Sequence, residues 1–220
     1  MRFFAQPLGA LLKLIFDLIG NYGVSIIVFT ILVKLLLLPL TLKQTRSMRQ
    51  MQEVQPEIKK LQEKYKNDKE QLNAKTMEIY AKYNVSPFGG CLPLLVQFPI
   101  LIGLFTALRD PATYVFGSAE IYASINTSFL WLSNLSDADP WVLPLLAGIT
   151  TFLSSKTMST GKQADQTQKM MTYGMPLMIF WWGRSFPAGL TLYWVVSNLF
   201  QFVQQLLMNR SQDKLKEGSN

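Results

Sequence analysis

The chain has no histidine and a single cysteine, Cys91, in 220 residues. Those absences exclude haem, thiolate-cluster and imidazole-based metal sites, His-dependent nucleophilic triads and any internal disulfide. No catalytic residue, metal or cofactor is expected, and the chain is read as a non-enzyme. Charge is scarce as well: 16% of residues are charged against 49% hydrophobic, with 14 Phe and 5 Trp, a balance unusual for a soluble domain. A glycine-rich phosphate loop is missing, which removes ATP as a driver. No Asp or Glu stands inside the long apolar runs, which counts against an ordinary ion-coupled transporter. Lys and Arg are missing from 110–140, where Asp110, Glu120, Asp137 and Asp139 occur instead.

What is present is a series of long apolar runs broken by one very polar stretch, so the expected solvent is a bilayer. A helix needs about 20 mostly apolar residues to cross it. Five spans are expected, at 22–42, 85–109, 141–157, 169–183 and 190–208, the fourth being the shortest. The fourth and fifth are separated so briefly, by 184–189, that a tight antiparallel pair is expected. Residues 1–21 carry Leu11, Leu12, Ile15, Leu18 and Ile19 at helical spacing, with Lys13 and Asp17 on a shared face and Pro7 interrupting the run. This predicts an amphipathic helix lying in the interface on the outer side. A signal peptide is the competing reading, but no small-residue cleavage site follows.

Orientation follows from the cations of short loops. Lys43, Arg46, Arg49, Lys59, Lys60, Lys64, Lys66, Lys69, Lys75 and Lys82 crowd 43–84, Lys156, Lys162 and Lys169 surround 158–168, and Arg210, Lys214 and Lys216 follow the last span. All three regions fall on one side, the cytoplasm, of a five-span chain. The N-terminus and the 110–140 loop are then outside, and the 209–220 tail inside. Arg184, in the 184–189 outer turn, is the exception.

The polar stretch 43–84 is patterned. Met48, Met51, Val54, Ile58, Leu61 and Tyr65 recur at three- and four-residue steps, as do Leu72, Thr76, Ile79 and Tyr83, with Asn67 and Glu70 spaced as a helix cap and its reciprocal partner. A helical hairpin is expected, with Pro56 kinking its first helix or starting another. Its charged faces admit solvation, or docking of lipid headgroups or an acidic, RNA-containing partner through Arg46, Arg49, Lys59 and Lys60. Sequence-specific nucleic-acid binding is not expected.

Lys34 is the residue that most needs a reason, because a lysine inside a span costs about 2.5 to 3.5 kcal/mol on insertion scales. Snorkelling with local thinning is one reading; a polar cavity is the other. At 100° per residue Thr30 and Thr41 share its face. Thr150, Ser154 and Thr157 make a second polar stripe, and Thr191, Trp194, Asn198, Gln201 and Gln205 a third, with Gln97 the lone amide of the second span. Such groups also act as interhelical glue. Met170, Met171, Met175 and Met178 crowd the fourth span, as core packing or as an adaptable apolar surface. Cys91 is most simply a small buried hydrophobe.

Three runs carry a family resemblance: ILVKLLLLPLTLKQTRSM (Ile31 to Met48), NVSPFGGCLPLLVQFPILIGLF (Asn84 to Phe105) and FPAGLTLYWVVSN (Phe186 to Asn198). In this order, with the hairpin between the first two, they resemble the YidC family of membrane-protein insertases, over nearly the whole chain. The resemblance implies an all-α polytopic membrane protein of the bacterial plasma membrane. Five transmembrane helices, the cytoplasmic hairpin and a groove open to cytoplasm and lipid but closed outside belong to that expectation. It implies insertion and folding of nascent membrane-protein clients without an energy source, alone or beside the Sec translocon, with the ribosome as a further candidate partner. The family's groove arginine falls on Lys34, a departure that keeps the cation but loses the fork. Trp194 matches a groove aromatic, and Ser154 lies near a position often Gln in the family. The missing signal peptide and outer domain resemble the shorter Gram-positive type, and the tail after Arg210 is too short for a ribosome-binding coiled coil. The groove is thus expected to be lined by Lys34, Thr30, Gln97, Thr150, Ser154, Trp194 and Asn198. A small channel or transporter and a lipid-acting enzyme are the other classes; a continuous pore would mark the first, a nucleophile with its base the second.

Overall fold

In the computed structural model, residues 2–85, 92–158 and 169–217 are described. Cys91, most of its PFGGCLP run and 159–168 with Lys162 lie outside them. The described secondary structure is helical apart from isolated bridges: α1 Arg2–Ile19, α2 Tyr22–Leu36, α3 Leu38–Lys64, α4 Lys69–Lys82, α5 Leu92–Arg109, a π-helical turn Ala112–Phe116, α6 Ala119–Ser124, α7 Val142–Met158, a second π-helical turn Met170–Gly174, α8 Met175–Gly183 and α9 Ala188–Glu217. These divide into two compact units. One holds α1, α2, α5 from Pro99 on and the rest of the chain. The other holds α3, α4 and the start of α5.

In the larger unit α1 ends where Gly20 takes a left-handed φ of 73°, a conformation open to glycine. Asn21 then caps α2, its Oδ1 accepting from Val24 N at 3.0 Å. The helix runs through Pro7 without a break. Lys13 and Asp17 do share a face and pair at 2.7 Å. Ala5, Leu12 and Ile15 are buried, whereas Leu18 stays exposed with Phe3, Phe4 and Leu14. Gly9 lets α1 approach the first π-helical turn, since a Cβ there would lie 2.0 Å from the Tyr114 carbonyl oxygen. Phe16, Tyr22, Phe116 and Tyr122 continue this contact as an aromatic chain.

α7 lies at the centre of the later helices and packs extensively against both α8 and α9. The expected tight pairing of the fourth and fifth apolar segments is therefore indirect. Ala147, Ile179 and Val195 form the shared core, with Trp194 against it. Small residues allow the close fit: a Cβ on Gly148 would meet the Pro176 carbonyl oxygen at 3.2 Å.

α2 stops at Leu36 because Pro39 occupies the first turn of α3 and has no N–H for the carbonyl one turn back. Thr41 is beyond this break, so the single helix that would have placed it on the Lys34 face is not formed. No single described helix is long and apolar enough to cross a membrane; α2 and α3 reach that criterion together, across Leu37.

In the smaller unit α3 and α4 pack side by side through Val54, Ile58 and Val85, with Met51, Ile79 and Tyr80 around them. α3 continues through Pro56 rather than ending there. The cap of α4 is Asp68, accepting from Gln71 N at 3.0 Å, not Asn67. Tyr83, expected in the seam, is exposed, and its hydroxyl bonds Glu57. Val85, past the end of α4, fills the core instead.

Candidate functional site

The larger unit buries a set of polar side chains beside its apolar core and exposes many large apolar ones. Leu145, Leu146, Ile149, Leu177, Leu199 and Val203 are exposed, while Ser25, Thr30, Thr150, Thr151, Ser154, Thr191, Ser197 and Gln205 are buried. The buried polar groups are concentrated on α2, α7 and α9, and their hydrogen bonds show what each can still offer.

Between α7 and α9 the Asn198 amide donates to Thr151 Oγ1 at 2.7 Å, and Gln201 Nε2 reaches Met158 Sδ at 3.3 Å. Thr151 was not anticipated; it stands one residue beyond the expected Thr150, and only the rotation of α7 against α9 selects it. Both threonines send their own hydroxyl protons back into the helix, Thr151 to Ala147 O at 2.6 Å and Thr150 to Leu146 O at 2.8 Å. Thr191 does the same to Pro187 O at 3.3 Å. Ser197 Oγ is buried without a partner. Trp194 leans on the apolar core of α7, α8 and α9, half-buried at the margin of the seam.

On α2 the pattern repeats: Thr30 is fully buried and donates to Ile26 O at 2.6 Å, and Ser25 to Asn21 O at 2.6 Å. Lys34, one turn on, is half-buried and lies in the last turn of α2. Its cation therefore faces the negative end of the helix dipole, a favourable position that the expected longer helix hid. Among the described residues no carboxylate pairs with it; the ion pairs there are Lys13 with Asp17 and Lys75 with Glu78. Gln97 belongs to the other unit, half-buried on α5.

The 110–140 segment, expected from the sequence as an acidic loop, is folded and bonded to the start of α9. Phe129 and Leu132 exchange backbone bonds around Leu130, Tyr122 Oη meets Ser136 Oγ at 2.6 Å, and Asp137 and Leu135 carbonyls accept from Ala188 N at 2.7 Å and Gly189 N at 2.8 Å. Asp139 organises its exit. The carboxylate accepts from Trp131 Nε1 and from the backbone N–H groups of Trp141, Val142 and Leu143, all within 3.1 Å. Burial pushes its pKa up, but these four donors outweigh it and hold the carboxyl below its ordinary value. The signal was available as Asp139–Pro140, a capping residue followed by a proline suited to a first helical position.

On the smaller unit, Arg46 and Lys60 are exposed on α3, whereas Arg49 and Lys59 are half-buried and already interact within the protein. The first two remain open to a docking partner.

Comparison with known proteins places these features in context. Residues 14–216 match the family model described as 60Kd inner membrane protein. The membrane protein insertase YidC of Fusobacterium nucleatum is 47% identical over 201 residues, 91% of this chain and 92% of the relative. That of Caldanaerobacter subterraneus is 42% identical over 221 residues, covering 100% of both. The membrane protein insertase MisCA of Bacillus subtilis is 42% identical over 94% of this chain and 78% of its own. A crystal structure of an active YidC insertase, with its first transmembrane domain resolved, superposes with a TM-score of 0.64 at 28% identity, over 86% of this chain and 42% of that one.

Proposed function

We propose that this chain, which belongs to the 60Kd inner membrane protein family, is a membrane-protein insertase that passes the polar tails of client proteins through the seam of α2, α7 and α9. The observation that carries the reading is the placing of polar groups: hydroxyls and an amide are buried on α2, α7 and α9, Lys34 is half-buried on α2 with no carboxylate partner among the described residues, and many large apolar side chains are exposed. That arrangement suits a chain surrounded by lipid and holding a polar path within it.

In the bilayer the chain spans five times, in the segments 22–42, 85–109, 141–157, 169–183 and 190–208, with the N-terminus outside and the C-terminus in the cytoplasm. The asymmetry of Lys and Arg supports this orientation. The α3–α4 pair is then cytoplasmic, and the folded 110–140 segment closes the outer end. Lys34 lies twelve residues after Tyr22, roughly 18 Å along the helix axis, so the closed outer end and the cation are well separated.

A client's short acidic tail enters from the cytoplasmic side and is drawn towards Lys34. At about 4 Å and an effective dielectric of about 20, one such pair gains about 4 kcal/mol before desolvation is counted. Seam hydroxyls and amides replace part of the water the tail gives up. Thr30 and Thr150 have their protons engaged, so they serve the tail as acceptors of its backbone N–H groups, whereas Thr151 already accepts from Asn198. The apolar segment behind the tail leaves sideways into lipid, and its burial drives the tail across. No covalent step is involved. The Sec translocon, the ribosome and lipid headgroups are candidate partners, with Arg46 and Lys60 the cations best placed to receive them.

The test is reconstitution of the purified chain into liposomes with a single-span client supplied by cell-free translation. Client tails should become protected from external protease above the level of empty liposomes. Protection no greater than in empty liposomes would remove the proposal.

A further inference from the structure

We propose that Arg184, in contact with the indole rings of Trp141 and Trp181, forms a binding site for the phosphodiester of an outer-leaflet phospholipid. The guanidinium carbon is 4.2 Å from the Trp141 ring centroid and 5.5 Å from that of Trp181. Two helices supply this geometry, because Trp141 stands immediately before α7 and Trp181 in the last turns of α8. The ends are locked together where Gly183 passes Pro144, with 3.3 Å left for a Cβ. Phe180 also packs on Trp141, ring centroids 6.5 Å apart.

The ligand chemistry follows from what the clamp leaves open. Ring contacts are the guanidinium's recorded interactions, and no ion pair or hydrogen bond from Arg184 occurs among the described residues, so its N–H donors are unused. Such donors match two oxygens of one phosphate. Trp141 and Trp181 are 57% and 66% exposed beside exposed Leu145, Leu177 and Trp182, so the cation sits at the rim of an apolar surface rather than in open polar surroundings. Indole rings with an arginine at that rim fit the level where acyl chains meet headgroups, and a phosphodiester is the anion of that layer. Arg184 also departs from the cytoplasmic side of the cation distribution, and a fixed phosphate partner gives it a reason to be there. The clamp rests on the reading of this chain as membrane-spanning, but not on its handling clients.

The experiment is native mass spectrometry of the full chain purified in detergent with added phosphatidylglycerol, comparing the parent with Arg184→Gln, Arg184→Lys and Trp141→Leu. Circular dichroism and thermal unfolding verify that each variant is folded. The parent should retain a phospholipid that Arg184→Gln binds about tenfold more weakly, the loss expected of a charge-assisted bidentate contact. Arg184→Lys should keep part of the affinity, and Trp141→Leu should lose part of it with the charge intact. Equal retention by the parent and folded Arg184→Gln overturns the proposal, as does displacement of the lipid by millimolar glycerol phosphate, which would make the site one for free anions. Client protection in liposomes, measured on the same proteins, separates the two readings: lipid retention without insertion refutes only the insertase, and insertion without Arg184-dependent retention refutes only the clamp.

Discussion

Trp131 Nε1 donates to Asp139 Oδ2 at 3.0 Å, tying the tip of the 110–140 segment to the residue that starts α7. The same carboxylate accepts the backbone N–H groups of Trp141, just before α7, and of Val142 and Leu143 in its first turn, so one side chain both begins a helix and fastens a loop to it.

Replacing Asp139 should therefore destabilise more than an ordinary cap change. Asp139→Ala should cost about 2 to 3 kcal/mol, since a charged acceptor of several bonds is lost from a buried place. Asp139→Asn should fall between it and the parent. Asp139 titrates lower in the folded protein than unfolded, so its contribution is complete above the unfolded value of about 4 and disappears as pH falls through the lower folded value. Thermal unfolding between pH 3 and 7 should show a loss of stability on acidification that is smaller in Asp139→Asn.

The bond from Asn198 to Thr151 should be measurable as a coupling. Asn198→Ala, Thr151→Val and the double variant should give an interaction free energy of about 0.5 to 1.5 kcal/mol in unfolding experiments. Additive effects would show that the seam does not hold α7 to α9 through this pair. Thr150→Val, whose hydroxyl stays within its own helix, should show no comparable coupling with Asn198.

Lys34 variants should separate charge from bulk. Lys34→Arg should retain insertion, Lys34→Ala should lose it most for clients with acidic outer tails, and Lys34→Glu should be worse, roughly tenfold or more for a doubly acidic tail. Protease protection of client tails, normalised to the amount of inserted protein, is the measurement. Equal insertion of acidic and neutral clients by Lys34→Ala would exclude the cation as the attractor.

Topology can be read with single cysteines in a Cys91→Ser background. Probes at Asn67 and Lys162 should react from the cytoplasmic face, and a probe at Ser133 from outside. The reverse pattern would overturn the orientation argued from loop charge.

How much of this was legible depended on the range of the interactions. The helices were visible in the spacing of apolar residues, and Lys34 was conspicuous simply as a cation in an apolar run. Its place in a last helical turn was not, because Pro39 was absorbed into a long span instead of being given its effect on the preceding turn. Pro56 admits a kink or a new helix start from sequence alone, and α3 runs on through it. Asn198 stands out from its stripe, but its partner Thr151 lies one position away from the Thr150 stripe of α7, and a pattern within one helix cannot select it. Asp139 was counted as loop charge while its capping role went unread, although the proline after it marked a helix start. Val85 could not be found from helical periodicity because it follows the helix whose core it completes.

The threonine hydroxyls of α2 and α7 have one more consequence. Each of these protons is already given to a carbonyl a turn away, so these three buried hydroxyls, unlike that of Ser197, need no guest to satisfy them. Under the proposed function, arrival and departure of a client tail would rearrange weak acceptor contacts without first dismantling the helices' own bonds. These hydroxyls then make the seam reusable, and the preference for acidic tails rests with Lys34.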